Sequence, residues 1–344
     1  MEDKSRHLTY FKVENFKRFE SFEMKDLGQF NLIVGDNNVG KTSVLEALLV
    51  DESETVLLCN FSRALAIRKI KDGSKIKDIE YYINKSSLVF QREASIFFVW
   101  KYEWTKELTN LQIKIDQLHQ QISIESYGEL HADSQNGSRG KHAFSEPINQ
   151  YNRIVFNYIP FYRGHDTDLL VFYKTLQRSS STKERFIESL RIIIPEIKNI
   201  EPSTDEDVPG LILYQKNVDA SIPLALFGDG ALKLFRLLAE IIINKNGRLM
   251  IDEIDTGIHY SRFKEFWRVI LRTAKENNVQ LFMTTHNEEC IKYFKDVLDE
   301  ESELKNLTRS ITLVEHNETK KVTAFTYSFE EFEHAINVGN EIRA

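Results

Sequence analysis

Three short stretches hold residue types that can do phosphate chemistry together. Residues 35–42 read GDNNVGKT, so Gly35, Asp36, Asn37, Asn38, Val39, Gly40, Lys41 and Thr42 match the spacing G-x-x-x-x-G-K-[ST]. Glycines let a backbone curl until successive N–H groups point into one concavity, and a helix beginning there adds its own unpaired N–H donors. Such a cradle suits the phosphates of ATP, with Ser43 in the same turn. Lys41 is placed to reach the β- and γ-phosphates, and the Thr42 hydroxyl to ligate the Mg2+ that bridges them. The second stretch, LMIDEID, puts Asp252 and Glu253 directly after an apolar run, with Asp255 two residues on. Asp252 fits a magnesium ligand, and Glu253 a base for the water that attacks the γ-phosphate. The third stretch, LFMTTHN, ends in His286, which can touch the γ-phosphate or orient that water. Lys41, Glu253 and His286 are therefore the expected catalytic groups.

These residues need elements that deliver them to one place. FNLIV at 30–34 is a short apolar run ending at Gly35, and Val44, Leu45, Ala47 and Leu48 follow at helical spacing, which predicts strand, glycine loop, helix. Strands are expected at 249–251 and 279–284, with helices over 231–244 and about 260–276 between and around them. Strands alternating with helices imply a largely parallel sheet, and carboxylates at strand C-termini sit where open α/β sheets bind ligands. Ahead of this, Phe11, Val13, Phe16, Phe19 and Phe22 alternate with polar residues and suit an antiparallel hairpin with one buried face. The middle of the chain predicts a helix before Lys71, strands near 79–83, 94–100 and 154–158, helices within 166–195, and a hairpin through 211–214 and 222–226. Leu108, Leu111, Ile115, Leu118 and Ile122 recur at alternating intervals of three and four, which predicts an amphipathic helix, either a coiled-coil stub or a helix packed on its own domain. The polar, turn-rich stretch 127–150 reads as an exposed loop. The expected division is an N-terminal lobe over 1–100, a helical and loop insertion over 101–150, and a C-terminal lobe over 151–344.

Composition bounds the remainder. The chain has 344 residues, 42% hydrophobic and 28% charged, as globular proteins do. No apolar run approaches the roughly 18–20 residues that span a bilayer, and a charged N-terminus does not resemble a signal peptide, so a cytoplasmic location without membrane contact is expected. Cys59 and Cys290 lack metal-ligand spacing. A net charge of -7 argues against a uniformly basic nucleic-acid binder, although Arg63, Arg68, Lys69, Lys71, Lys75 and Lys77 form a local basic run opposed only by Asp72. Such a run is more often a solvated face.

Taken together, these motifs resemble the ABC-type ATPase heads of the SMC, RecF and OLD families. KVENFKRFESFEMKDLGQFNLIVGDNNVGKTSVLEAL is similar to their N-terminal strand pair and phosphate loop, RLMIDEIDTGIH to their acidic strand and the D-loop after it, and TTHN to their histidine switch. Within that group the likeness is to predicted AAA-type ATPases associated with OLD proteins and phage-defence operons. The fold implied is an α/β P-loop NTPase head with a mostly parallel central sheet, an N-terminal antiparallel β subdomain and a helical insertion. LFGDGALKLFRLL stands where those heads carry their signature, so the resemblance implies that Gly228, Asp229 and Gly230 approach the γ-phosphate of ATP held by a second subunit. Phe227 and Asp229 replace the serine and glutamine of transporter-like signatures. Lys17 and Arg18 resemble basic residues that reach phosphate or ribose, and Gln91 is a candidate for the adenine-side glutamine. The tail after Asn287 is too short for the acidic nuclease domain of OLD proteins, and the insertion too short for SMC arms.

The reading that follows is a Mg2+-dependent ATPase that dimerises head to tail over two ATP molecules, its hydrolysis gating a partner effector such as a nuclease or toxin in antiviral defence. Two others stand beside it: a repair or maintenance ATPase that clamps DNA through 63–77, and a nucleotide-gated scaffold with little turnover.

Overall fold

The computed structural model describes residues 5–53, 56–57, 60, 95–116, 121–127, 138–142, 158–160, 166–204, 210–216 and 221–338. Its centre is a six-stranded sheet in which β3 (Phe30–Gly35) lies between β13 (Gln280–Thr284) and β14 (Thr308–Glu315), with all three parallel. On the β13 side follow β12 (Arg248–Ile251) and the short β8 (Tyr158–Ile159), both parallel, and on the other side the antiparallel edge strand β15 (Val322–Tyr327). The apolar runs form central strands because both faces are covered, so every residue of β3, β12 and β13 is buried. Alternation assigns the faces. Phe30, Leu32, Val34, Leu249, Ile251, Leu281 and Met283 join one core, while Ile33, Met250 and Phe282 join the other.

Helices cover the first face. α4 (Asp229–Ile243), α5 (Phe263–Glu276) and α6 (Glu288–Glu300) pack with α2 (Asp166–Leu176), α3 (Ser180–Ile193) and α7 (Phe329–Asn337) into that core. A separate antiparallel sheet of β9 (Ile197–Pro202), β10 (Leu211–Gln215) and β11 (Ser221–Pro223) runs into a 3-10 turn at 224–227 and then α4. The hairpin expected through 211–226 thus gains β9 as a third strand. Among the described residues no helix is long and apolar enough to cross a membrane.

The second face carries α1 (Lys41–Ala47) and an antiparallel sheet. In it β1 (Leu8–Phe16) lies between β2 (Phe19–Met24) and β4 (Ile96–Tyr102), and the sheet continues through β5 (Thr109–Asp116), β6 (Gln121–Tyr127) and β7 (Ser138–His142). Phe11, Val13, Phe16, Phe19 and Phe22 all point into its core, as the alternation required.

Here two expectations are corrected. Where an amphipathic helix was expected over 108–122, Thr109–Asp116 and Gln121–Tyr127 are antiparallel paired strands, with Ile113 opposite Ile124 and Leu111 opposite Ser126. The 3-4 spacing overlooked a period of two: Leu111, Ile113 and Ile124 are buried, whereas Leu108, the first residue of the supposed helical stripe, is 43% exposed before the strand begins. Four isoleucines at 113, 115, 122 and 124 favour the pleated backbone as well. The insertion's helical character therefore gives way to strands of the N-terminal sheet. Within the loop expected over 127–150, residues 138–142 pair with β6. The helix before Lys71, the strand near 79–83, Gln91, Cys59, Leu118 and the basic run at 63–77 lie outside the described residues.

Candidate nucleotide site

β3 ends at Gly35, and the chain turns back over residues 36–40 before α1 starts. Asn38 has a φ of 65° and Gly40 a φ of 111°, both left-handed. At Gly40 a side chain is excluded twice over, since that φ disfavours one and a Cβ would lie 2.8 Å from Arg18 Cδ and 3.0 Å from Phe19 Cζ. Val39 is buried and anchors the loop, leaving Asp36, Asn37 and Asn38 exposed. Lys41 Nζ donates to the carbonyls of Gly35 at 2.6 Å and Asp36 at 2.9 Å, so the ammonium arches across the loop it belongs to. Above it sits the β1–β2 turn, with Lys17 ion-paired to the buried Glu46 of α1 and Arg18 to Glu315 at the end of β14. Arg18 is thus beside the phosphate loop, with its guanidinium on a carboxylate.

The carboxylates arrive from β12. Asp252 is 3% exposed and accepts hydrogen bonds from Thr42 Oγ1 at 3.0 Å, Thr284 Oγ1 at 2.8 Å and, at a long 3.4 Å, Tyr158 OH. Hydrogen bonds to a charged acceptor contribute about 1.5–3 kcal/mol each, which is what holds a carboxylate in so buried a place. Glu253 has a φ of 45°, and its N–H donates to Thr284 Oγ1 at 2.8 Å. This turn swings the side chain outward, where Thr256 Oγ1 reaches Oε2 at 3.4 Å and His286 Nδ1 lies 3.6 Å from Oε1. Both ends of that pair are accessible, His286 at 51% and Glu253 at 37% of the side chain. His286 is presented by the residue after it, because Asn287 caps α6 through bonds from the N–H groups of Glu289 and Cys290. Asp255 is buried and accepts from Thr285 Oγ1 at 2.7 Å.

The segment at 226–230 reaches this constellation from the helical side. Gly228 caps α4, and Gly230 packs so tightly on the loop after Asp255 that a Cβ would lie 2.4 Å from Gly257 O. Leu226 beside it is 74% exposed, and Gly228 and Asp229 are exposed too. One turn into α4, Lys233 points inward at the carbonyls of Pro160, Asp252 and Glu253. Burial lowers its ammonium to about 8, Arg236 pushes the same way, and the carboxylates of Asp252, Asp255 and Glu253 oppose them.

Residues 73–291 match the family described as "AAA domain, putative AbiEii toxin, Type IV TA system", well over half of the chain. The chain belongs to this family. The matched span holds residues 228–230, Asp252, Glu253 and His286, but starts after the phosphate loop, whose case is its own motif and geometry. The chain is 24% identical to an ATP/GTP phosphatase of Helicobacter pylori, over 84% of this chain and 88% of that protein. In fold it is similar to an SMC head bound to the C-winged helix domain of ScpA, with a TM-score of 0.53, 12% identity and coverage of 95% of this chain and 99% of that one. It is also similar to an SMC head with an extended coiled coil, bound to the C-terminal domain of ScpA derived from Pyrococcus furiosus, with a TM-score of 0.56, 12% identity and coverage of 97% and 100%. The fold is that of an ABC/AAA-type ATPase head.

For an AAA-family head the residues fit ATP and Mg2+. The loop is a concave backbone with its lysine over it, and Thr42 and Asp252 already share a hydrogen bond across the strand ends. Among the described residues no cluster of three or more His, Cys, Asp or Glu could hold a metal alone. Two protein oxygens are nevertheless what Mg2+ asks for when phosphates and water complete its shell. Residues 35–43, Asp252, Glu253, Asp255 and His286 are brought to one end of the central sheet. Sequence reasoning passed over Tyr158, Thr284, Thr285 and Lys233. Both threonines stood inside the TTHN motif, and Lys233 stands with Arg236 as a cation in an otherwise largely apolar helix.

Proposed function

We propose that this ATPase head hydrolyses Mg2+-ATP as a head-to-tail dimer, each site pairing the strand ends of one subunit with the 228–230 loop of the other. The observation that carries the reading is the accessible Glu253–His286 pair, 3.6 Å apart, beside the buried Thr42–Asp252 bond. Glu253 takes the proton from an attacking water, and His286 orients that water against it. Asp252 and Thr42 hold Mg2+, which when bound screens the charge of the phosphates. Lys41 leaves its carbonyls for the terminal phosphates, and Arg18 is near enough to exchange Glu315 for a phosphate oxygen. Exposed Leu226, Gly228 and Asp229 offer the surface that a second copy would cover.

Opening and closing of that dimer would gate a separate effector in antiviral defence. Support for the last step is the toxin–antitoxin description of the family and the ScpA domains bound to the similar SMC heads. Glu253→Gln tests the core of the proposal. ATP should then trap a dimer seen by light scattering while turnover falls about 10²–10⁴-fold, the usual contribution of a general base. Wild-type turnover, or a monomer at saturating ATP, would refute it.

A further inference from the structure

Lys233 is a buried cation that hydrolysis by Glu253 and His286 leaves without a task. It is 7% exposed, and its helical neighbours Leu232, Leu234, Phe235 and Leu237 are core residues. A lysine costs more than a methionine in such a place unless something there needs a cation. What the ammonium meets is three main-chain carbonyls, Pro160 O, Asp252 O and Glu253 O, all at 3.4 Å. Each distance is long for a hydrogen bond, and the equal spacing describes an ion centred among dipoles. The three carbonyls belong to residues that leave the parallel neighbours β8 and β12, so one side chain spans the exits of both strands. One of them is the carbonyl of Glu253 itself, whose left-handed φ of 45° only a surrounding constraint would maintain in a residue with a side chain. Thr284 holds that turn by the N–H side, and Lys233 faces it from the carbonyl side.

From this placement we propose that Lys233 is a positioning residue for hydrolysis: its ammonium fixes the Asp252–Glu253 turn and so aims the Glu253 carboxylate at the attacking water. It also ties that turn to α4, the helix that begins at Gly228. The inference rests on Glu253 being the base, and its failure is separable from the failure of that assignment.

The test is a double-mutant cycle of Lys233→Met and Glu253→Gln in the full chain, read by single-turnover hydrolysis of radiolabelled ATP with Mg2+ and by ATP affinity. Lys233→Met should lower the rate constant about 10–100-fold, with ATP affinity changed less than about threefold, because the group acts only through transition-state geometry. In the Glu253→Gln background the same change should cost less than about threefold, since there is no carboxylate left to aim. Losses that multiply in the double mutant would overturn the proposal, as would an unchanged rate in Lys233→Met. Where Lys233→Met does not fold, the cycle is run with Lys233→Gln and judged by the same outcomes. Should Glu253→Gln alone retain wild-type turnover, the assignment of the base fails instead, and that is seen in the single mutant.

Discussion

The strand ends and the 226–230 loop are built on opposite terms. At the strand ends the chain satisfies itself: Asp252 is bonded to Thr42, Thr284 and Tyr158, and Asp255 to Thr285. At the loop, Leu226 is 74% exposed and a Cβ on Gly228 would meet nothing within 4 Å, although Gly230, two residues on, has no room for one. Polar groups locked together before a ligand arrives lower the reorganisation needed at reaction, which is the property a catalytic face requires. Leu226, Gly228 and Asp229 are instead left in solvent, where the proposed dimer would bring a second copy. The difference teaches that one chain builds a self-satisfied face and an exposed loop on unlike terms, as the proposed head-to-tail dimer requires.

The largest expected effect breaks the self-contained half. Lys41→Ala removes the ammonium that spans the phosphate loop, and ATP turnover measured as kcat/KM should fall about 10²–10³-fold, as when a charge-stabilising donor is lost. A loss below tenfold would mean that the loop does not hold the reacting phosphates.

Next comes the displayed half. Asp229→Arg should lower turnover about 10–100-fold while each subunit still binds ATP with wild-type affinity, because the strand ends are untouched. Mixing Asp229→Arg and Lys41→Ala chains then sharpens the comparison. Random pairing makes half of the dimers mixed, and a head-to-tail mixed dimer has one intact site of two, so activity should recover to about a quarter of wild type. No recovery on mixing two inactive chains would place residues 228–230 and Lys41 in the same subunit's site.

That same contrast marks what could be read before the structure. The strand-end half was legible because its residues are contiguous in sequence: a strand buried on both faces announces itself as FNLIV or LFMTT, and the group it delivers comes next. The antiparallel sheet was less so. Leu108, Leu111, Ile115, Leu118 and Ile122 imitate a helical stripe, while the residues buried on the paired strands include Ile113 and Ile124 as well as Leu111, which only pairing partners resolve. Lys233 was hidden for another reason. Its partners are main-chain carbonyls of residues 160, 252 and 253, and carbonyls leave no trace in a sequence.

The smallest effect asks whether the preorganised half is also held from its far end. β13 delivers Thr284 and His286, and its start is pinned to β1: Leu8 N–H donates to Gln280 Oε1 at 2.8 Å, Gln280 Nε2 donates back to Leu8 O at 2.8 Å, and His7 Nε2 lies 2.9 Å from Asn278 O. Burial holds the His7 pKa below its ordinary value, Arg248 adds to that, and Asn278 O and Glu103 oppose it. The unfolded chain therefore takes up this proton first as pH falls. Stability is complete above the ordinary histidine value of about 6.5 and is lost as pH drops from there toward the folded value. Against His7→Gln, the wild-type melting temperature should fall further between pH 7.5 and 5.5. The Asp229→Arg variant, altered only at the displayed loop, should share the wild-type slope. Parallel melting curves for wild type and His7→Gln would show that the imidazole adds no pH-linked stability, leaving the start of β13 to the Gln280–Leu8 bonds.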